Sequence, residues 1–532
     1  MMTTSAFEIL GPIMVGPSSS HTAGALRIAL VARSLGPREL RRAEFTLYNS
    51  FAHTYRGHGS DRALVAGILG LAPDDVRVRD SFDLAREAGI EFSFLPSEEG
   101  AGMHPNTVTV TMHSADGSRV AVTGESLGGG RVRIVSIDGV RVEISGDYPT
   151  LFVAHKDKPG VLAALTSGVS ASSSNIATLR TFRESRGGKA YTVFELDEAV
   201  DQGLVDFLSR GPNILSASVV DVPGAPHVPA DATLAHGFDN GAELLSLCAR
   251  EGVSIGEAMR LRELELTPAV DVDAQMARVI AALRDEVAGP IASPSPSLGG
   301  LIGGQARAVS DAAGRLGGPL MGESLSRATS YAMAVLERSA SMGVIVAAPT
   351  AGSAGVVPGA LLSVAEAVGA SDEELARALW NSCAVGAIIA QNASVAGAEG
   401  GCQAEVGSAA AMAASALAEL LGANAATCLS AASTAIANLL GLVCDPVRGL
   451  VEYPCQNRNA IGVADAYVAA QLALSGVLDP LPFDEVVAAM RSVGDALPAT
   501  LRETALGGLA AAPSAAGARN ACSGCRGCTR QE

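Results

Sequence analysis

The chain has only three lysines, Lys156, Lys158 and Lys189, no cysteine before Cys248 and no histidine after His236. Each scarcity excludes something. Catalysis through a lysine Schiff base needs a lysine in a catalytic segment, and all three lie in one short stretch of the N-terminal half. The C-terminal half offers thiolates without imidazole, and the N-terminal half offers imidazole bases without thiolates. An active site that needs both must therefore draw on two domains. With one Trp in a chain that is 48% hydrophobic, the interior must be built from Ala, Val, Leu and Ile. Positive charge is also scarce: the net charge of −17 disfavours nucleic acid and anionic membranes as partners. The opening MMTTSAFEILGP lacks a basic segment followed by an apolar one, which predicts no signal peptide and a cytosolic chain. In a reducing compartment, grouped cysteines are metal ligands or catalysts more often than disulfides.

Length predicts several domains. Residues 1–146 mix helical patterns (22–35 and 60–70) with alternating strands (45–48, 106–112, 131–135), the mark of a small α/β domain. Turn signals DGSR and IDGV fall at Asp116 and Asp138. Residues 147–222 read strand, helix, strand, strand, helix, strand, a split βαββαβ arrangement. A linker, 223–232, carries Pro223, Pro226 and Pro229. From 233 to 510 the text is helical and Ala-rich, with Gly-bearing breaks at 297–304, 349–359 and 399–407. The most apolar stretch, 406–443, is interrupted by Ser, Asn, Glu and Gly and reads as buried small-residue helices rather than a membrane span. A tail, 511–532, ends CSGCRGCTRQE. The expected fold is a multidomain α+β chain: an α/β substrate-binding domain, a βαββαβ module and an all-α catalytic domain.

Cys402, Cys444 and Cys455 sit at Gly- or Pro-bearing breaks, where free backbone N–H groups can face a cluster's sulfides. Three thiolates spaced 42 and 11 apart, without histidine, suit an iron–sulfur cluster with one iron left open. Buried structural cysteines are the alternative. Zinc fits less well, because the CxxC spacing it favours occurs only in the tail. Cys248, Cys383 and Cys428 lie in apolar helical text and read as core residues.

The motifs GCQAEVG, CDPVRGLVEYPCQNRNA and PTAGSAGVVPGAL resemble the iron–sulfur-dependent L-serine dehydratases. MVGPSSSHTAGALR, RGHGSD, HPN and SLGGG are similar to that family's other domain, so the likeness covers nearly the whole chain. HKDKPGVLAAL followed by NIATLRTFR resembles the ACT module, which binds small amino acids at a dimer interface. The resemblance implies a [4Fe–4S] cluster on Cys402, Cys444 and Cys455 and an ACT effector site at Asp157, Gly160 and Asn175. It also implies L-serine as substrate, an amino-acid effector and a homodimer. In the family a C-terminal cysteine can occupy the open iron and leave when substrate arrives; Cys522, Cys525 and Cys528 are the candidates here. A different metal, or none, is open for that tail.

Dehydrating serine requires loss of the Cα proton and departure of the β-hydroxyl. The base calls for an imidazole, and His58, between two glycines before a helix, is the residue that the resemblance assigns. Ser18, Ser19, Ser20 and Thr22, with His21, crowd hydroxyls at a helix start, where an anion such as a carboxylate is favoured. One of them is also expected as an ordinary N-cap. By resemblance, Asn106 and the SLGGG loop with Ser126, Gly128 and Gly129 complete the substrate contacts, and Thr350 and Gly352 line the helical side. Ala351 stands where family members often have Asn.

A pyridoxal phosphate dehydratase would perform the same net reaction, but neither catalytic segment contains the lysine it needs. Two alternatives stay open: an iron–sulfur lyase for threonine or cysteine, since pocket volume cannot be read from sequence, and a non-catalytic amino-acid sensor.

Overall fold

The computed structural model describes residues 4–37, 39–144, 148–172, 174–220, 234–268, 270–312 and 320–517. Pro223, Pro226 and Pro229 of the linker and the tail cysteines Cys522, Cys525 and Cys528 lie outside the described residues. Two compact units result. One comprises Met1–Glu8, Pro12–Leu234 and Leu266–Val270; the other comprises Ile9–Gly11, Ala235–Glu265 and Asp271–Glu532.

Among its described residues the first unit holds a six-stranded and a four-stranded sheet. In the larger, strands β1 (Leu40–Tyr48), β2 (Glu91–Ser97), β3 (Thr107–Ser114), β4 (Arg119–Gly128), β5 (Arg131–Ile137) and β6 (Val140–Ile144) lie in the order β2-β1-β3-β4-β5-β6. Only β1 and β2 run parallel. The expected turns close the hairpins: Gly117 takes φ +85°, and Asp138 and Gly139 take +49° and +80°. Two helices, α1 (Ala25–Leu35) and α2 (Asn49–Thr54), flank β1 in sequence, and α3 (Ser60–Ile68) packs on α1. The α1–α3 contact is close because Gly67 has no side chain; a β-carbon there would lie 2.5 Å from Ala29 Cβ.

Strands β7 (Thr150–Lys156), β8 (Ile176–Arg183), β9 (Lys189–Leu196) and β10 (Ile214–Val220) form the smaller sheet, in the order β10-β7-β9-β8, antiparallel throughout. Helices α4 (Val161–Ala171) and α5 (Gln202–Ser209) supply its connections. Leu151, Val153, Leu165, Val169, Phe194 and Leu208 fill the layer between sheet and helices. The βαββαβ order read from the sequence is thus present.

Among its described residues the second unit is helical apart from the short strand Val344–Val346. Its main helices are α6 (Val272–Ala292), α7 (Gly322–Ala340), α8 (Val356–Val368), α9 (Asp372–Asn392), α10 (Ser408–Leu420), α11 (Ala425–Leu439), α12 (Cys455–Leu474) and α13 (Phe483–Ala496). The Ala- and Ser-rich α10 is buried along nearly its whole length and packs against α8, α9, α11 and α12. Small side chains allow that crowding, so the most apolar stretch of the sequence is a core helix. Among the described residues no helix is long and apolar enough to cross a membrane.

Candidate active site

In the first unit, the SSSHT segment folds as a π-helical turn, Ser19–Gly24, that runs into α1. Ser18 is its cap: the Oγ accepts from His21 N at 3.0 Å. His21 is fully buried and its ring is held from both sides, with Ser20 Oγ 3.1 Å from Nδ1 and Ser50 Oγ 2.9 Å from Nε2. Thr22 Oγ1 donates to the backbone carbonyl of His58 at 2.7 Å. His58 itself follows α2 and precedes Gly59, whose φ of +64° suits glycine. The His58 ring lies 4.4 Å, centroid to centroid, from the His21 ring. It is fully buried, and neither ring nitrogen has a hydrogen-bond partner among the described residues. Burial lowers its pKa to about 4, and burial followed by the nearby His58 lowers that of His21.

Asn106 and the SLGGG loop join this cluster. Ser126 Oγ donates to Ser20 O at 2.8 Å, and Ser126 N donates to Asn106 O at 2.9 Å. Gly24 makes the approach of Ser126 feasible, because a β-carbon on it would sit 2.0 Å from Ser126 Oγ. The side-chain oxygen of Asn106 is buried without a partner among the described residues, as is Ser60 Oγ at the start of α3. Gly128, Gly129 and Gly130 take φ of +93°, +59° and +77° and form the β4–β5 turn, which Arg27 Nη1 anchors at Gly130 O (2.6 Å). Unpartnered buried polar atoms are rare in native proteins; here four belong to His58, Ser60 and Asn106.

In the second unit, Cys402, Cys444 and Cys455 are all buried free thiols. Gln403 fixes the first two relative to each other: its N–H donates to Leu442 O, its Oε1 accepts from Gly441 N at 2.8 Å, and its Nε2 donates to Met490 O. Cys444 pairs through its backbone with Leu501 and Glu503. Cys455 opens α12, and Asn459 one turn later donates to both Cys455 O (2.9 Å) and Gly352 O (2.8 Å). Thr350 Oγ1 donates to Glu405 Oε1 at 2.8 Å, and Glu405 Oε2 lies 3.9 Å from Cys444 Sγ. The Glu405 carboxylate rests in a cradle of glycines: a β-carbon at Gly352 would come within 2.8 Å of it, and one at Gly397 within 2.6 Å. Burial, then Glu405, pushes the Cys402 thiol up to about 12. Burial, then Cys402, pushes Cys455 up, and burial followed by Glu405 does the same to Cys444, which also feels the other two thiols.

The serine dehydratase alpha-chain family model matches residues 241–510, and the beta-chain model matches residues 5–135. The L-serine dehydratase of Streptomyces coelicolor is 30% identical over 528 residues, covering 96% of this chain and 99% of that protein. The beta chain of the Peptoniphilus asaccharolyticus L-serine dehydratase is 40% identical over 222 residues, 42% of this chain and all of that one. A probable L-serine dehydratase alpha chain of Bacillus subtilis is 43% identical over 279 residues, 52% of this chain and 92% of its own. The chain belongs to the serine dehydratase family. It joins in one polypeptide the beta and alpha regions that some members of the family carry as separate chains.

The iron–sulfur cofactor of the serine dehydratase resemblance can be tested against the thiols present. Among the described residues no three His, Cys, Asp or Glu side chains close on a single metal ion, yet the three thiols feel one another's charge. A polynuclear cluster places a separate iron under each thiolate, so its ligands stand farther apart than those of one tetrahedral ion. Three buried thiols with no imidazole in the set are the soft donors that an iron–sulfur cluster takes. Residues missing from the sequence reading are Ser50, Gln403, Glu405 and Asn459; three of these lie inside or beside the motifs GCQAEVG and CQNRNA, where a polar side chain amid small residues was the available signal.

The ACT-type effector residues are not gathered by a single chain. Asp157 follows the end of β7 that pairs with Lys189, and Asn175 precedes the end of β8 that pairs with Leu196. Seven residues of β9 separate those ends, about 23 Å at strand rise. Asp157 accepts from Gly187 N at 2.9 Å, Asn175 Nδ2 donates to Asp197 at 2.6 Å, and Gly160 takes φ +85° at the start of α4.

Proposed function

We propose that the chain is an L-serine ammonia-lyase that releases pyruvate and ammonia. The observation that carries this reading is the buried His58 imidazole with both ring nitrogens unspent among the described residues. Its lowered pKa keeps the ring neutral at physiological pH, so a ring nitrogen is free to take the Cα proton of serine. Thr22 holds the His58 backbone, and His21, fixed by Ser20 and Ser50, packs against its ring. Ser19 and Ser20 contribute hydroxyls towards the substrate carboxylate, and the unpartnered Asn106 Oδ1 is an acceptor for its ammonium. Held by Cys402, Cys444 and Cys455, a [4Fe–4S] cluster supplies Lewis acidity to a hydroxyl that otherwise leaves poorly. Thr350 and Glu405 order the segment around Cys444. Loss of water leaves aminoacrylate, which tautomerises and hydrolyses to pyruvate and ammonia.

The reading extends to a cytosolic homodimer whose βαββαβ module is an ACT domain with an amino-acid effector. The distance between Asp157 and Asn175 in one chain supports an effector held by two copies. The test uses anaerobically purified full-length chain. About four irons per chain, matching sulfide, and pyruvate release from L-serine that is lost in air are expected. Full activity in the metal-free chain would end the reading, and hyperbolic, lag-free serine dependence would remove the effector.

A further inference from the structure

Arg458 occupies an unusual position among the buried groups of the helical unit. It lies on α12 three residues after Cys455. Its Nη1 donates to Val443 O at 2.8 Å, and its Nη2 pairs with Asp445 Oδ1 at 2.8 Å. Those two residues are the chain neighbours of Cys444. The positive charge of the same guanidinium also acts on Cys402 and Cys455. Asp445, only 3% exposed, is tied in turn to Leu509 N at 2.7 Å. The first turn of α12 and the loop that carries Cys444, 11 residues apart at their cysteines, thus meet at one side chain.

Arginine suits the task in a way lysine does not. Its planar fork offers several donors in fixed directions and stays charged when buried, so it can hold a carbonyl and a carboxylate at once. A nearby positive charge also favours the more negative, reduced state of a cluster.

We propose that Arg458 is the positioning residue of the Cys444 thiol: from the first turn after Cys455, one guanidinium clamps both chain neighbours of Cys444, setting its place relative to Cys455 and raising the reduction potential of the cluster that the thiols hold. The second half of this statement rests on the cluster of the proposed function; the first does not.

The test compares the full-length wild type with Arg458→Met and Arg458→Lys under anaerobic conditions. In the metal-free chain, amide exchange across residues 440–446 is expected to be on the order of tenfold faster in both variants, since neither keeps the fork. In the reconstituted chain, Arg458→Met should show a lower cluster midpoint potential, with Arg458→Lys near wild type because the charge remains. If Arg458→Met does not fold, Arg458→Lys alone decides the clamp. Exchange within twofold of wild type overturns the positioning role, and an unshifted midpoint in Arg458→Met overturns the tuning role. A wild type that takes up no cluster ends the cluster reading, while the exchange measurement still decides the clamp.

Discussion

The two units hold their reactive groups in opposite protonation states. Around His58 the first unit buries imidazoles and hydroxyls that are neutral, and leaves four polar atoms of His58, Ser60 and Asn106 without partners among the described residues. Around Cys444 the second unit buries acids: three thiols and Glu405, all with raised pKa values, and the ion pair Arg458–Asp445. Burial is the leading cause in both places, and it acts through the sign of the charged form. An imidazole is kept deprotonated, ready to take a proton. A thiol is kept protonated until a cation offsets its charge, so metal uptake there must release protons. One principle therefore leaves an imidazole deprotonated in one unit and thiols protonated in the other.

Replacing His58 separates the two most sharply. His58→Gln keeps a polar side chain of similar reach but removes the base, and pyruvate release should fall by about 10²–10⁴. Iron and sulfide content should stay at the wild-type value, because no thiol ligand is touched. A variant that keeps its activity would remove His58 from the reaction, and one that loses its iron would show that the two groups are not separable.

A smaller effect is expected at Thr22. Thr22→Val retains the shape but removes the hydroxyl that donates to His58 O, leaving a buried carbonyl short of a partner at about 1–3 kcal/mol. Thermal unfolding should move down accordingly. Displacing His58 slightly should lower kcat by roughly tenfold to a hundredfold, with KM little changed. An unchanged kcat with a lowered melting temperature would make Thr22 a stabilising residue only.

Thr22 also marks where sequence reading stops. Local signals are legible: alternation and turn residues gave the order of strands and helices in the βαββαβ module, and glycines on both sides singled out His58. The trio Cys402, Cys444 and Cys455 stood out because each sits at a break in helical text. Partners across the chain are not legible, since nothing in SSSHT states that the Thr22 hydroxyl reaches a carbonyl 36 residues away. Ser50 on His21, Glu405 under Thr350 and Arg458 beside Cys402 belong to the same class. Each is a polar residue of ordinary composition whose role is fixed only by tertiary packing. The wide separation of Asp157 and Asn175 has the same origin: their motifs are close in sequence but sit at opposite ends of a sheet.

The mildest test is pH, and the two units should respond with opposite slopes. His58 has a folded pKa near 4 and His21 one that is also lowered, against about 6.5 when unfolded. Between those values the unfolded state binds more protons, so the first unit loses stability as pH falls below 6.5. Asp61 opposes this: burial raises its pKa to about 6, so between about 3.9 and 6 the folded state binds the extra proton. Asp61 offsets roughly one imidazole, and the other sets a net loss in acid. In the second unit, burial raises the pKa of Glu286, partly countered by Val346 N–H, and burial raises Asp465 to about 6, partly countered by Asn438. There the folded state holds the extra protons, so the second unit gains stability as pH falls from 6.5 to 5. The carboxylates with lowered pKa values, such as Asp75 beside Arg77 and Asp273 beside Arg260, respond only below their unfolded value of about 3.9 and leave this window clear. Amide exchange on the metal-free chain, corrected for intrinsic rate, should show α1 and α3 less protected at pH 5 than at pH 6.5, and α6 more protected. Asp61→Asn keeps the neutral state at every pH, removes the offset and should steepen the response of α3 alone. Equal slopes in the two units would mean that the buried imidazoles and acids are compensated elsewhere, and would dissolve the contrast.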